Sequence, residues 1–538
     1  MDTFDFIVVG AGSAGCVLAD RLSASGRYSV LVLEAGGSDR RFYVQMPLGY
    51  GKTFFDPAVN WNFRAEPDAG LAGNADHWPR GKLLGGSSSI NAMVWIRGNH
   101  ADFNSWRDAG NPGWGFSDLL PIFKAVEDNE AGADAWRGKG GPVHVSDMHH
   151  KVHPLTRLYL KAGEQAGLPF NPDFNGAGQE GVGIYQITTA NGRRMSAARA
   201  FLRPAMRRSK VRVETDAMAT RLLFEGRRAI GVEYLKGGRN QTARAGCEVI
   251  VSTGSVGSPQ LLQLSGVGPG SLLQGLGIPV VQANDHVGAN LQDHLGINYT
   301  WKAKQPTLNQ ILRPWWGKAW VGLQYLALRT GPLSMSMNQG GGFFRTDPAR
   351  ERPNMQLYFQ VFSTVIPKAG ERPILTPDPW PGFSIGLSNC RPESRGEIMI
   401  RSADPFTQPR ITPNAYSTEG DVAEMLAAVK YLRRIASMPA LADVIEGEVL
   451  PGPSITSDPE MILDFRKRSG TVYHPVSTCR MGPDPTQAVV DSRLKVHGLE
   501  GLRVIDASIF PSNIAGNTNC AAIVTGWKGA DLVLEDAR

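Results

Sequence analysis

The chain has 538 residues, 42% hydrophobic and 20% charged, a balance that fits a folded protein and excludes a disordered or collagen-like one. That length calls for more than one core. The net charge of +6 comes without long basic runs, and the densest cluster, Arg203 to Arg212, mixes five basic residues with apolar ones. It reads as a solvated face beside a strand, so no nucleic-acid partner is expected. Five widely separated cysteines argue against a disulfide framework and for a reducing compartment. The first residues, MDTFDFIVVGAG, are acidic where a secretory signal would be basic, and no run of 18 apolar residues occurs. The expectation is a cytoplasmic protein, with peripheral contact to the inner membrane left open.

In chain order, FDFIVVG (Phe4 to Gly10) is a short apolar run suited to a buried strand. SAGCVLADRLSAS spaces Ala14, Val17, Leu18 and Leu22 as one helix face, and YSVLVLEAG is a second buried strand ending at Glu34. Residues 156–204 mix helix and turn signals. Arg212 to Leu235 reads as strand, turn, strand, and CEVIVSTGS as a further buried strand. From about 296 to 470 the chain turns rich in Trp, Pro and aromatic residues, with alternating runs such as NMQLYFQVF. GLRVIDASIF, near the end, is again a buried strand, followed by a helix. The predicted architecture is α/β: a Rossmann-type dinucleotide domain built from discontinuous segments (1–155, 205–295 and 475–538). An inserted α+β substrate domain with an antiparallel sheet takes 156–204 and 296–474.

GAGSAG supplies Gly10, Gly12 and Gly15 in G-x-G-x-x-G spacing between strand and helix. Gly10 permits the tight turn, Gly12 lets backbone approach a pyrophosphate, and Gly15 allows close helix–strand packing. The helix N-terminus offers free N–H groups to the phosphates. Glu34 stands where an acidic side chain accepts ribose hydroxyls. With no second loop of this kind and no close cysteine pair, one dinucleotide is expected; a nicotinamide enzyme and a flavoprotein share the unit. GYGKTFF is not a phosphate loop, because Met46 stands where its first glycine is required. His144, His149, His150 and His153 read as an exposed polar loop. TVYHPVSTCRMGPD places His474, Cys479 and Met481 close together, so a metal clip, a base and a buried turn all compete there.

Two longer stretches carry a family resemblance. RGKLLGGSSSINAMVWIRG (Arg80 to Gly98) and GSVGSPQLLQLSGVG (Gly254 to Gly268) resemble the two signatures of the glucose–methanol–choline (GMC) oxidoreductases. NLQDH (Asn290 to His294) and DASIFPS (Asp506 to Ser512) are similar to that family too, and choline dehydrogenase-like and L-sorbose dehydrogenase-like members resemble the chain most. The resemblance implies FAD, with Gly85, Gly86, Ser89, Asn91, Ala92 and Met93 along the flavin and Trp61 nearby. It puts Ala219 at the adenine and Asp506 and Ala507 beside the ribityl chain. Ser13, Ala14, Ala35, Tyr473 and Thr518 complete the cofactor set. Some relatives attach FAD through a histidine where this chain has Ile90, so the FAD is expected to be noncovalent.

The same resemblance makes His474 the base and Asn517 its hydrogen-bonding partner, with no metal. An imidazole can take the hydroxyl proton near neutrality while a hydride leaves the carbon. The expected activity is FAD-dependent oxidation of an alcohol to an aldehyde or ketone, with electrons passed to a quinone or another natural or artificial acceptor. An oxidase that uses O2 and an FAD-containing lyase are the alternatives; His474 and Asn517 count against a noncatalytic flavin-binding scaffold. The alcohol itself (choline, sugar, aliphatic, aryl or polyether) is left open. Trp315 to Leu328 is expected to pack as an ordinary helix in the second domain, the alternatives being a wall of the substrate cavity or an apolar patch facing a membrane.

Overall fold

The computed structural model describes residues 2–365 and 376–537. Two seven-stranded sheets dominate it. In the first, Asp2–Val9 lies between Val30–Leu33 and Arg239–Val251, parallel to both, with Val211–Glu214 outside Val30–Leu33. Phe6 to Val9 and Val30 to Leu33 are all buried. That is why they read as unbroken apolar runs, since a parallel sheet is covered on both faces. Leu502–Val504 pairs with Val249 to Val251, which brings the C-terminal segment onto the same sheet.

The stretch from Arg212 to Leu235 holds three strands rather than two. Asp216 adopts a positive φ of 52°, and the break there separates Val211–Glu214 from Ala217–Glu225. The first piece joins the parallel layer; the second starts an antiparallel meander with Arg228–Lys236 and Arg239–Val251.

The helix Ser13–Ser23 runs against the last helix, Asn519–Asp536. Ser13 Oγ donates to Asn519 Oδ1 at 2.7 Å, and a Cβ on Gly526 would lie 2.7 Å from the Ala14 carbonyl oxygen. The contact of chain start and chain end is therefore backbone-close.

The second sheet is antiparallel, in the order Ile445–Leu450, Leu295–Ala303, Gly382–Asn389, Met355–Gln360, Asn338–Phe344, Gly181–Ile184. Side chains alternate across it. Ile297, Tyr299, Trp301, Leu357, Phe359, Phe383 and Ile385 face a core closed by the helices Pro154–Gln165 and Glu419–Ala436. Tyr159 stacks on Phe359 and Tyr431 on Phe344 there, with ring centroids 4.5 and 4.6 Å apart. The opposite face carries Asn298, Thr300, Tyr358, Gln360 and Ser384 and looks into a cavity between the two sheets.

Trp315–Leu328 is a helix, but not an ordinarily packed one. Gly317, Val321 and Tyr325 alone are buried, and none of its residues lines the cavity.

The first signature segment is pinned by a buried ion pair. Arg97 Nη2 sits 2.6 Å from Glu127 Oε2 with both side chains essentially sealed from solvent, and Trp95 Nε1 donates to Glu127 Oε1 at 2.8 Å. Removing one partner of such a pair leaves a buried charge uncompensated. Glu127→Ala should therefore lower resistance to urea denaturation by about 3–5 kcal/mol, while Lys302→Ala, at an exposed pair with Glu446, should change it by less than about 1 kcal/mol.

Candidate active site

One cavity of about 880 Å³ runs from the glycine turn at Gly10 to His474 and on to the polar face of the second sheet. At its first end the backbone is tightly packed. A Cβ on Gly10 (φ +101°) would lie 2.4 Å from the Ser252 carbonyl oxygen, and one on Gly15 only 1.9 Å from that of Gly10. Gly86 (φ +51°) brings the first signature so close that its Cβ would lie 2.8 Å from Gly12 Cα. Gly12 differs: a Cβ there meets nothing nearer than 3.8 Å and would stand in the cavity. The helix Ser13–Ser23 has no side-chain cap at Gly12, so its first N–H groups are free for an anion.

Glu34 ends its strand with Oε2 accepting from the Ala11 N–H at 3.0 Å and Oε1 from the Gly36 N–H at 2.9 Å. Burial pushes its carboxyl up to about 7 against those two bonds. It braces the turn and faces the cavity at once. Ser13, Ala14, Ala35 and Ala219 line the same end. Open space at Gly12, free helix N–H groups and an acidic residue at the strand end together fit a dinucleotide.

Further along, Trp61, Gly86, Asn91, Ala92, Met93, Tyr473, Asp506, Ala507 and Thr518 line the middle of the cavity. Asp506 is fixed by N–H bonds from Gly254 and Ser508 at 2.9 and 2.8 Å. Three residues of the sequence-derived set stand behind the lining. Gly15 packs on Gly10, the Gly85 N–H donates to the Ala11 carbonyl at 2.8 Å, and Ser89 Oγ donates to the Leu84 carbonyl at 2.8 Å. They shape the turn that the others present. Ile90 is buried against the cavity, an aliphatic side chain with no nucleophilic atom.

The chemistry converges on His474. Its proton positions follow from two backbone carbonyls, which can only accept. His294 Nε2 lies 2.9 Å from the Cys390 carbonyl and must donate to it. Burial lowers the proton affinity of His294 to about pKa 4, so it is neutral and its Nδ1 is bare. His474 Nδ1, 3.0 Å away, must then carry a proton and donate to it. That leaves His474 Nε2 unprotonated.

The other end of the network agrees. Tyr185 Oη donates to the Leu357 carbonyl at 2.6 Å and so accepts from Gln356 Nε2 at 3.1 Å. Tyr358 Oη donates to Gln356 Oε1 at 2.7 Å, and Gln356 Nε2 also donates to Asn517 Oδ1 at 3.3 Å. Asn517 is thereby turned so that its Nδ2 meets His474 Nε2 at 3.2 Å. A bare imidazole nitrogen and an amide N–H thus stand side by side at the cavity wall, the pair needed to take a proton from a hydroxyl and hold its oxygen.

Asp293 holds the loop that carries His474. Its Oδ1 accepts from the His474 N–H at 2.8 Å and its Oδ2 from Thr471 Oγ1. Burial lifts its carboxyl to about 7, and Arg80 lies near enough to oppose that shift. For His474 itself, burial, then the neighbouring His294 and Arg80, pull the pKa well below the ordinary value. His294, Asp293, Gln356, Tyr358 and Cys390 had no role in the sequence-derived site. NLQDH marked His294 and Asp293 as family-like, but Gln356 and Tyr358 sit on a strand whose alternation is all that the sequence shows, and Cys390 lies just past the end of another. Cys479 and Met481 are buried in the first core, and no cluster able to hold a metal occurs among the described residues. His144 is bonded to Asp128 and Glu130, and His149 to Asp147.

Residues 4–296 match the N-terminal and residues 392–526 the C-terminal model of the GMC oxidoreductases, and the chain belongs to that family. It is 42% identical to an alcohol dehydrogenase [acceptor] of Pseudomonas putida, over 99% of this chain and 96% of that protein. It is 41% identical to the mitochondrial choline dehydrogenase of Mus musculus, over 99% of this chain and 89% of that one. Among solved structures, an FAD-dependent oxidoreductase from Chaetomium thermophilum superposes with a TM-score of 0.90 at 26% identity, covering 99% of this chain and 100% of that one.

Gly12→Ala separates the cofactor reading from mere packing. The added Cβ meets nothing in the protein nearer than 3.8 Å but stands where a pyrophosphate would approach, so the variant should fold with unchanged far-ultraviolet circular dichroism yet purify with less bound nucleotide. Gly10→Ala, which meets the Ser252 carbonyl, should lose folded yield instead.

Proposed function

We propose that this protein oxidises an uncharged alcohol to an aldehyde or ketone with noncovalently bound FAD and passes the electrons to a quinone or another acceptor. The observation that carries the reading is the forced tautomer at His474: a neutral imidazole with a bare Nε2 beside the Asn517 amide, at the end of a cavity that begins in a dinucleotide turn. FAD, when bound, supplies the hydride acceptor. Asn517 Nδ2 holds the substrate oxygen while His474 Nε2 takes the hydroxyl proton. The developing imidazolium is held by His294 through Nδ1–H. The P. putida relative, named for a generic acceptor, supports the dehydrogenase over the oxidase.

The lining supports an uncharged substrate. Across the second sheet, Thr300 and Gln360 flank Ser384, and Asn298 and Tyr358 flank Gly386, so this wall offers hydroxyl and amide groups and no charge. Among the described residues at this end the charged ones are Asp76, Arg80, Lys467 and Arg468. Both oxygens of Asp76 are already bonded, to the N–H groups of Thr471 and His77. With Arg468 paired to Asp464, Arg80 and Lys467 still outnumber the single carboxylate Asp76, a balance that disfavours a quaternary ammonium. Trp61, whose ring could cage such a group, already carries Lys82 Nζ 4.7 Å from its centroid.

Anaerobic titration tests this. An uncharged alcohol should bleach the flavin band. Choline should be at least about tenfold poorer in kcat/KM than its carbon isostere, in which a tert-butyl group replaces the trimethylammonium. Choline bleaching as well as the isostere would refute the uncharged-substrate reading. If no alcohol bleaches a flavin that is bound, the oxidation reading fails with it.

The base makes a separate demand. His474→Asn should cut kcat by about a hundredfold to ten-thousandfold while flavin stays bound. A base must be unprotonated, and this one binds protons more weakly than a free imidazole. Activity should therefore persist as pH falls through about 6.5, the ordinary histidine value, and be lost only below it, as read from the acid limb of kcat/KM.

A further inference from the structure

The helix Trp315–Leu328 is turned inside out for a soluble protein. Trp315, Trp316, Trp320, Leu323, Leu326 and Leu328 are between 58% and 80% exposed. Beside it, Phe42 and Tyr43 are about half exposed, and the Phe42 ring contacts the buried Tyr325 at 6.3 Å, so the patch continues across two segments. Contiguous exposed apolar surface of this kind marks an interaction site. No helix among the described residues is long and apolar enough to cross a membrane, so a bilayer would be met from its surface.

The charges around the patch name the partner. Between Asp293 and Asp347 the chain has no acidic residue, and Arg313, Lys318 and Arg329 stand on or next to the helix. Arg40 and Arg41 stand exposed beside Phe42. Arg199 feels the charges of Arg193 and Arg203 as well as Tyr325 beneath the helix, and Arg329 lies 4.7 Å over the Tyr325 ring. Asp39, which also acts on Arg199, is buried and paired with Arg203 at 2.8 Å. Tryptophan and leucine in the centre with arginine and lysine at the rim is the pattern that binds an interfacial segment to anionic lipid.

We propose that this face docks on the surface of an anionic phospholipid bilayer, the indoles and leucines entering the headgroup–acyl boundary and the basic rim lying among the headgroups. The chain leaving the helix passes through Pro332–Ser334 to Met337 and Asn338, which line the cavity. Docking would thus set the active site beside the membrane, where apolar alcohols and quinones concentrate.

Co-sedimentation of the flavin-loaded protein with vesicles decides the matter, and its readout is independent of turnover. Binding is expected to phosphatidylcholine vesicles containing phosphatidylglycerol, weakening as salt rises, and not to phosphatidylcholine alone. The double variants Trp315→Ser/Trp320→Ser and Arg41→Glu/Lys318→Glu should each weaken binding about tenfold or more, with flavin content unchanged. Failure to bind anionic vesicles, or binding that neither double variant alters, would overturn the proposal. So would light scattering that shows a dimer which Trp315→Ser/Trp320→Ser converts to a monomer without any vesicle binding, since a second copy would then cover the face.

Discussion

Two backbone carbonyls that can only accept, those of Cys390 and Leu357, govern the proton arrangement on which the site depends. Each closes one end of a hydrogen-bond chain, and the chains meet at His474, the first at Nδ1 and the second at Nε2. His294, Cys390, Tyr185 and Gln356 are buried, where an unpaired donor or acceptor would be costly. The tautomer of His474 is thus set by backbone within and just past strands of the second sheet. The dinucleotide turn belongs to the first.

That division explains why His474 is buried and yet has its unprotonated nitrogen at the cavity wall. Its own segment crosses from one sheet to the other: Gly470–Thr471 pairs with Leu295 and Gly296, and Val476 bonds with Gln292. Asp293 ties the turn between these pairings through both of its oxygens, and Tyr473 accepts a positive φ of 72° within it. A residue held in that region persists only where its surroundings over-determine it. Here they are two sheets and a buried carboxylate.

Much was legible before folding. Gly10, Gly12 and Glu34 announced their places because a dinucleotide turn needs particular residue types at fixed local spacing, and local spacing survives in sequence. The alternation of the second sheet was visible in NMQLYFQVF, whose even and odd positions now face the cavity and the core respectively. What escaped was long-range. Gln356 lies 161 positions from Asn517, and His294 lies 180 from His474. No periodicity links such residues, because only strand register brings them together. Gly85 and Ser89, read as flavin contacts from the signature they occupy, bond the Ala11 and Leu84 carbonyls behind the cavity lining. The helix Trp315–Leu328 misled for a related reason: its composition suggested burial, and no pattern along the chain says whether another element will arrive to cover it.

The sequence by itself determined the class of protein and the chemistry it can carry: a dinucleotide turn, two long family signatures, and a histidine and an asparagine in the right motifs. These are properties of residue type and short spacing, which backbone sterics and hydrogen-bonding capacity dictate locally. The tertiary structure decided which nitrogen of His474 is free, which way the Asn517 amide points, which charged side chains line the cavity, and which tryptophans stay in solvent. Each of those turns on contacts between residues far apart in the chain, and only the packing of the two sheets against each other fixes them.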